Sequence, residues 1–366
     1  MRTNLGAPHS LGRALRRRWQ MQMGMLLVTS ICFGGRPVVA DAAEPLEESR
    51  PADSTDGDPE EVSPLRLRRV TDKTLGGRQF WADVEFFHSW RIQQNVLTGH
   101  FRLLDEDDYR HASGTLEACQ AQLAEIRAQR KLAPMSGEAV ILVHGLVRSH
   151  KSMNRLQRHL ELEQAGYQSF SFGYPSTQIR IDEAADYLHR AIQSLEGIER
   201  IHFVAHSMGG IVVRSCLAQH PDPRVGRVVM IATPNLGADL ADRFHRLRLF
   251  QAMFGSAGQQ LVGNPEGFIA ALPAPTFEFG VIAGGRGNER GYNPLIPGDD
   301  DGTVSVASTR LTGAADFVLV DRLHTFLIID PTTRDYTVRF LKEGRFRLDA
   351  GPEPIVAKLN KDFGKD

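Results

Sequence analysis

The chain has 366 residues, with 43 lysines and arginines against 44 aspartates and glutamates and a formal net charge of −1. That balance excludes attraction to a polyanion as the driving force, so no nucleic-acid partner is expected. With 42% hydrophobic and 24% charged residues the composition fits neither a disordered chain nor a multispanning membrane protein, and three scattered cysteines (Cys32, Cys119, Cys216) suit neither a disulfide scaffold nor a cysteine-based zinc site.

At the N terminus, Arg13, Arg16, Arg17 and Arg18 precede an uncharged span at 19–35 and the small-x-small run Ala40-Asp41-Ala42. This is the layout of an export signal, expected over 1–42 with cleavage after Ala42 and delivery to the periplasm or the exterior. An uncleaved anchor is the alternative, but the span is shorter than the roughly 20 apolar residues a membrane helix needs. Residues 43–64 alternate acids with Pro45, Pro51, Pro59 and Pro64 and read as a solvated linker. The acids there lack the ligand spacing of an EF-hand loop.

The stretch 65–134 has its own texture. Phe80, Trp81, Phe86, Phe87 and Trp90 read as a small core rather than a carbohydrate or lipid platform. Segments 91–96 and 100–104 flank Leu97-Thr98-Gly99 as in a hairpin, and Leu116, Cys119, Leu123 and Ile126 recur at helical spacing within 115–131. After Pro134 the pattern changes. β-rich runs at 139–143, 168–172, 201–205, 225–231, 277–283 and 317–320 alternate with helical stretches at 151–165, 182–195, 208–219, 240–254 and 332–341. The expected class is α/β with a mainly parallel central sheet flanked by helices over 135–345, preceded by the hairpin-plus-helix region and followed by a tail at 346–366. In such sheets ligands bind beyond the C-terminal strand ends, so the residues after each strand are where chemistry belongs.

One strand runs directly into His206-Ser207-Met208-Gly209-Gly210 and then a helix. A nucleophilic hydroxyl on so sharp a turn requires small residues two before and two after it, here Ala205 and Gly209. The following helix N-terminus favours developing negative charge beside Ser207. With Val143-His144-Gly145-Leu146 after the first strong strand, the sequence resembles the α/β-hydrolase family, and within it bacterial lipases and esterases, over about 138–343. Ala205 departs from the commoner glycine of that elbow.

The resemblance implies an oxyanion hole formed by the backbone N–H groups of Leu146 and Met208, and a pocket wall shaped by Thr233-Pro234-Asn235-Leu236-Gly237. It implies an acid in Asp299-Asp300-Asp301-Gly302-Thr303-Val304, with Asp301 matching the family's Asp-Gly-x-Val turn and Asp299 and Asp300 as alternatives. It further implies that His324, in the last loop, is the general base. Three adjacent carboxylates also suggest calcium, but no complementary ligands are evident and no metal or cofactor is expected. His144 and His206 flank the site and are read as tuning hydrogen bonds, since no zinc-ligand spacing accompanies them, and His202 as structural. Cys216 reads as a buried apolar residue, and a Cys119–Cys216 disulfide stays open.

The expected activity is that of a serine hydrolase cleaving carboxylic esters, with acyl lipids the best-matched substrates, through an acyl-Ser207 intermediate. The stretch 240–254, with Leu240, Phe244, Leu247, Phe250 and Phe254 among arginines, is a candidate lid for contact with a lipid surface, and equally an ordinary crossover helix. An amidase or thioesterase with the same triad is the enzymatic alternative. A non-catalytic envelope-binding protein using the aromatics at 80–90 is the alternative from another class.

Overall fold

The computed structural model describes residues 80–163, 166–239 and 255–356. The expected signal at 1–42, the linker at 43–64 and the candidate lid at 240–254 lie outside the described residues.

Four antiparallel strands come first: β1 (Trp81–Phe87), β2 (Trp90–Asn95), β3 (Phe101–Leu104) and β4 (Arg110–Gly114), paired in that order. The β2–β3 turn is the expected one. Asn95 Oδ1 accepts the Leu97 and Thr98 N–H groups, and Gly99 closes the turn onto the Asn95 carbonyl. Helix α1 (Leu116–Gln129) is capped by the Thr115 hydroxyl and buries Cys119, Leu123 and Ile126.

The apolar runs after Pro134 form six parallel strands: β5 (Gly137–Val143), β6 (Tyr167–Phe172), β7 (Ile198–His206), β8 (Val225–Ile231), β9 (Phe279–Gly284) and β10 (Asp316–Val320), in spatial order β10-β9-β8-β7-β5-β6. Their connections carry helices α2 (Asn154–Leu162), α3 (Ile181–Gln193), α4 (Met208–Gln219), α5 (Phe268–Ala271) and α6 (Val306–Thr309), and α7 (His324–Leu327) and α8 (Pro331–Glu343) follow the last strand. A single 3₁₀ turn at His150–Met153 precedes α2, so the helix expected from residue 151 begins as α-helix only at Asn154.

Strands covered on both faces read as continuous apolar runs, and β5 shows why. Ala139, Ile141 and Val143 point into a core layer shared with α3, α4 and β1, while Val140 and Leu142 point to an opposite layer with Leu156, Leu160 and Phe340. The first layer is continuous with the core of the four-stranded sheet through Phe86, whose ring lies 5.2 Å from that of Phe170. Beyond α8, Phe346 is fully buried against Phe340, and Asp316 accepts the N–H groups of both Phe346 and Glu353 at 2.7 Å. The segment after 345 is therefore tied to the sheet at Phe346, Glu353 and Ile355, while Leu348 and Val356 stay exposed.

Cys119 and Cys216 are both buried free thiols. Burial pushes the Cys119 thiol up to about 11 and Cys216 further up, so neither is a ready nucleophile. Among the described residues no helix is long and apolar enough to cross a membrane, and no group of three or more His, Cys, Asp or Glu is placed to hold a metal ion.

Candidate active site

The strand order reverses between β5 and β7: β5 connects outward to β6, whereas the chain then crosses to β7 on the other side. A crevice opens beyond the carboxyl ends of strands at such a point. The two loops that meet there are Val143–His144–Gly145 and His206–Ser207–Met208.

Ser207 occupies the turn between β7 and α4 at φ +55° and ψ −129°, a backbone conformation that costs an L residue about 1–3 kcal/mol. The surroundings enforce it. The Ser207 N–H donates to the Ile231 carbonyl of β8 at 2.8 Å, and a Cβ on Gly209 would lie 2.5 Å from the Val143 carbonyl oxygen and 2.7 Å from that of His144. A Cβ on Gly145 would meet the Ser207 Cβ at 2.9 Å, so the β5 loop touches the serine with no room for a side chain. Met208 is the first residue of α4, and its N–H is one of the donors a helix start leaves without an intrahelical partner. Leu146 follows Gly145 and packs half-buried against the core.

His324 opens α7, and its Nε2 lies 3.0 Å from Ser207 Oγ. Its Nδ1–H donates to Asp301 Oδ2 at 2.7 Å, and its backbone N–H donates to the Asp301 carbonyl at 2.8 Å. The other Asp301 oxygen accepts the Thr303 and Val304 N–H groups at 3.0 and 2.8 Å. Both carboxylate oxygens are thereby fixed, one on the turn and one on the imidazole.

The neighbouring acids have other tasks. Asp299 accepts the N–H groups of Arg286, Gly287 and Asp300, and Asp300 accepts those of Asn293 and Gly302. Burial pushes the Asp300 carboxyl up to about 6. The structure therefore brings Ser207, Asp301 and His324 together in one chain of hydrogen bonds and keeps Asp299 and Asp300 out of it.

Six parallel strands in this order, a strained serine between β7 and α4, and an acid and a histidine on the two later loops decide the architecture. The fold is that of an α/β-hydrolase.

Around this hydrolase core the flanking histidines are neutral scaffolding. His144 is fully buried, with Nδ1–H donating to the Gly145 carbonyl at 2.8 Å and Nε2 facing the Tyr174 N–H at 3.4 Å, and burial pushes it down to about 4. Tyr174 also stacks on the His144 ring and donates its hydroxyl hydrogen to the His144 carbonyl at 2.8 Å. His206 Nε2–H donates to the His324 carbonyl at 3.2 Å, and burial holds His206 well below the usual imidazole range. His202 bridges Glu138 and the Arg227 N–H. In the 233–237 turn, Asn235 donates to the Thr309 carbonyl and accepts from Arg214, which ties the turn to α6, while Leu236 stays exposed.

Two residues beside the site carry no sequence signal of their role. Arg148 donates to Thr325 Oγ1 at 3.1 Å, joining the β5 loop to the residue after His324. Tyr174, in the loop after β6, is the partner that holds His144. A polar cavity of about 310 Å³ lies between these loops, lined by Arg148, Ser149, Ser152, Tyr174, Ser176 and Thr177 among others.

The sequence profile of a family described as "Domain of unknown function (DUF7379)" matches residues 108–273. No curated protein matches the chain. Among solved structures, the mature lipase BlEst2 of Bacillus licheniformis is similar at 22% identity, covering 54% of this chain and 89% of that one, with a TM-score of 0.42. The phospholipase PlaB of Legionella pneumophila in complex with thio-NAD is similar at 16% identity over 56% of this chain and 58% of that one, TM-score 0.46. Lipase B of Aspergillus fumigatus is similar at 15% identity over 59% of this chain and 54% of that one, TM-score 0.42.

Proposed function

We propose that the chain is an exported serine hydrolase that cleaves carboxylic esters, with acyl lipids as the substrate class, through an acyl-Ser207 intermediate. The observation that carries this reading is the continuous relay from Ser207 Oγ through His324 to Asp301 on a strained elbow.

The chemistry follows from those bonds. Asp301 keeps the proton of neutral His324 on Nδ1, which leaves the Nε2 lone pair aimed at the Ser207 hydroxyl. As Oγ attacks the ester carbonyl, Nε2 takes its proton and the imidazolium is steadied by Asp301. The carbonyl oxygen becomes an alkoxide in the tetrahedral intermediate, and the Leu146 and Met208 N–H groups are assigned as the donors that receive it. Fixed donors of this kind need no reorganisation as charge develops. Collapse breaks the bond to the alcohol oxygen, which leaves with the proton from Nε2. Water activated by the same imidazole then releases the acid from Ser207 and restores the resting state.

The test is mass spectrometry of the purified mature protein after a fluorophosphonate probe, with turnover of a matched panel of esters, thioesters and amides of increasing acyl length. The reading expects one adduct at Ser207 and the highest kcat/KM on esters, rising with chain length. Amide or thioester turnover above ester turnover would reassign the activity to an amidase or thioesterase. A folded protein without an adduct would overturn the enzymatic reading in favour of a binding protein.

A further inference from the structure

The four-stranded sheet sets a buried carboxylate against the core of the hydrolase. Asp83, in the middle of β1, is fully buried and lies next to Gly173, the residue that follows β6. Its backbone N–H donates to the Gly173 carbonyl at 2.9 Å, and its Oδ2 accepts the Gly173 N–H at 2.6 Å. Gly173 is thus pinned on both its polar groups by one residue ninety positions earlier. There is no slack at this contact, because a Cβ on Gly173 would lie 3.1 Å from Asp83 Oδ2 and 3.2 Å from His150 Nδ1.

The carboxylate is supported from behind. Gln93 Nε2 donates to Asp83 Oδ1 at 2.7 Å, and Gln93 Oε1 accepts from both Nε and Nη2 of Arg102 at 3.0 and 2.7 Å. Arg91 Nη1 lies 3.6 Å from Oδ2. Burial pushes the Asp83 carboxyl up, against the pull of these cations and donors. A buried charge is retained at a cost, and removing one partner of such a set is strongly unfavourable, so a position that only needed filling would be served as well by an apolar side chain.

What Gly173 holds is the next residue, Tyr174, whose N–H faces His144 Nε2, whose ring stacks on that imidazole and whose hydroxyl grips the His144 carbonyl. His144 in turn bonds Gly145, the residue before Leu146. The same sheet also holds the far end of this loop through Asp108, which pairs with Lys151 at 2.5 Å.

We infer that Asp83 is a positioning residue for the reaction: through Gly173, Tyr174 and His144 it sets the place of the Leu146 N–H in the oxyanion hole. The four-stranded sheet is then a working part of the catalytic site. This rests on the acyl-transfer reading above, since an oxyanion donor matters only if a tetrahedral intermediate forms.

The experiment compares wild type, Asp83→Ala, Asp83→Asn and the pair Asp83→Asn with Gln93→Glu, each checked for folding by circular dichroism. The pair moves the negative charge one strand over and keeps every bond. The amide oxygen introduced at position 83 still accepts the Gly173 N–H, its amide nitrogen donates to the carboxylate introduced at position 93, and that carboxylate receives Arg102. The readouts are the rate constant of Ser207 phosphonylation, and kcat and KM separately on one ester. Displacement of a donor by a fraction of an ångström predicts that Asp83→Ala and Asp83→Asn lose about tenfold to a hundredfold in kcat and in phosphonylation, with KM unchanged within about threefold. The pair returns both rates to within about threefold of wild type. Should Asp83→Ala not fold, the contrast between Asp83→Asn and the pair decides the matter. A folded Asp83→Ala or Asp83→Asn with wild-type rates overturns the inference while leaving the reading intact. So does a folded pair as slow as Asp83→Asn, or a loss that falls in KM alone. A wild-type protein that forms no adduct overturns the reading itself, and the inference with it.

Discussion

Replacing Asp301 by asparagine separates the relay from the turn that carries it. The oxygen facing the Thr303 and Val304 N–H groups must remain an acceptor, so the new amide nitrogen faces His324 Nδ1. That nitrogen is a donor, and it forces the His324 proton onto Nε2, where the ring can no longer accept from Ser207. Turning the amide round restores the productive tautomer but sets a donor against two N–H groups, one buried and one half-buried, at about 1–3 kcal/mol each. The productive arrangement therefore lies about 2–6 kcal/mol uphill, which at about 1.36 kcal/mol per decade is a loss of roughly 30-fold to 10⁴-fold in kcat. Steady-state hydrolysis of a p-nitrophenyl ester measures it, with thermal denaturation as a control for folding. Asp301→Asn within about threefold of wild type, with Asp299→Asn or Asp300→Asn inactive instead, would refute the assignment and the hydrogen-bond argument behind it.

The remaining expectations use other parts of the same site. Ser207→Ala abolishes turnover and phosphonylation but keeps the strained backbone, whereas Ser207→Gly relieves it; Ser207→Gly is expected to be the more stable of the two in urea denaturation by about 1 kcal/mol after allowing for glycine's entropy. Gly209→Ala drives a methyl into the Val143 and His144 carbonyls, and should cost about 1–3 kcal/mol of stability, read by urea denaturation, together with most of the activity. Asp300, whose folded pKa is raised from 3.8 to about 6, binds a proton in the native state at a pH where the unfolded chain has already lost it. Its contribution to stability is therefore greatest below its unfolded value and is lost as the pH rises through about 6. Relative to Asp300→Asn, the melting temperature of wild type should fall between about pH 4 and 7, and a wild-type curve that rises against the variant over that window would refute the burial argument.

The chemistry-bearing residues are legible in the sequence because each is bound to a local backbone demand. Ser207 needs small neighbours, Gly145 abuts the serine, and Asp301 sits in a turn whose N–H groups it must cap. Such demands leave their patterns within a few residues of the group they serve. Strands β5 to β10 are legible from their apolar runs, with boundaries that shift where polar ends such as Arg200 continue the pairing. Strand β1 carries a strand's alternation in Ala82-Asp83-Val84-Glu85-Phe86, but the aromatics around it read as a core cluster, and the fold buries the polar Asp83 beside Ala82 and Val84. The role of Asp83 is hidden for a different reason. Its partner is a backbone amide ninety residues away, and backbone partners leave no trace in composition or spacing. Nor does Arg148 announce its bond to Thr325, which exists only once two distant loops meet.

The spacing of the relay along the chain governs when the site comes into being during synthesis. The four-stranded sheet and α1 are built from neighbours in sequence, and such local contacts form fastest. Ser207, by contrast, must wait for a histidine 117 residues later, and for β10 to place it. Until nearly the whole chain is available, Ser207 has no imidazole beside it and its turn no complete sheet beneath it. On the proposed reading a partly made polypeptide is chemically silent, and the site is completed as one of the last events of folding.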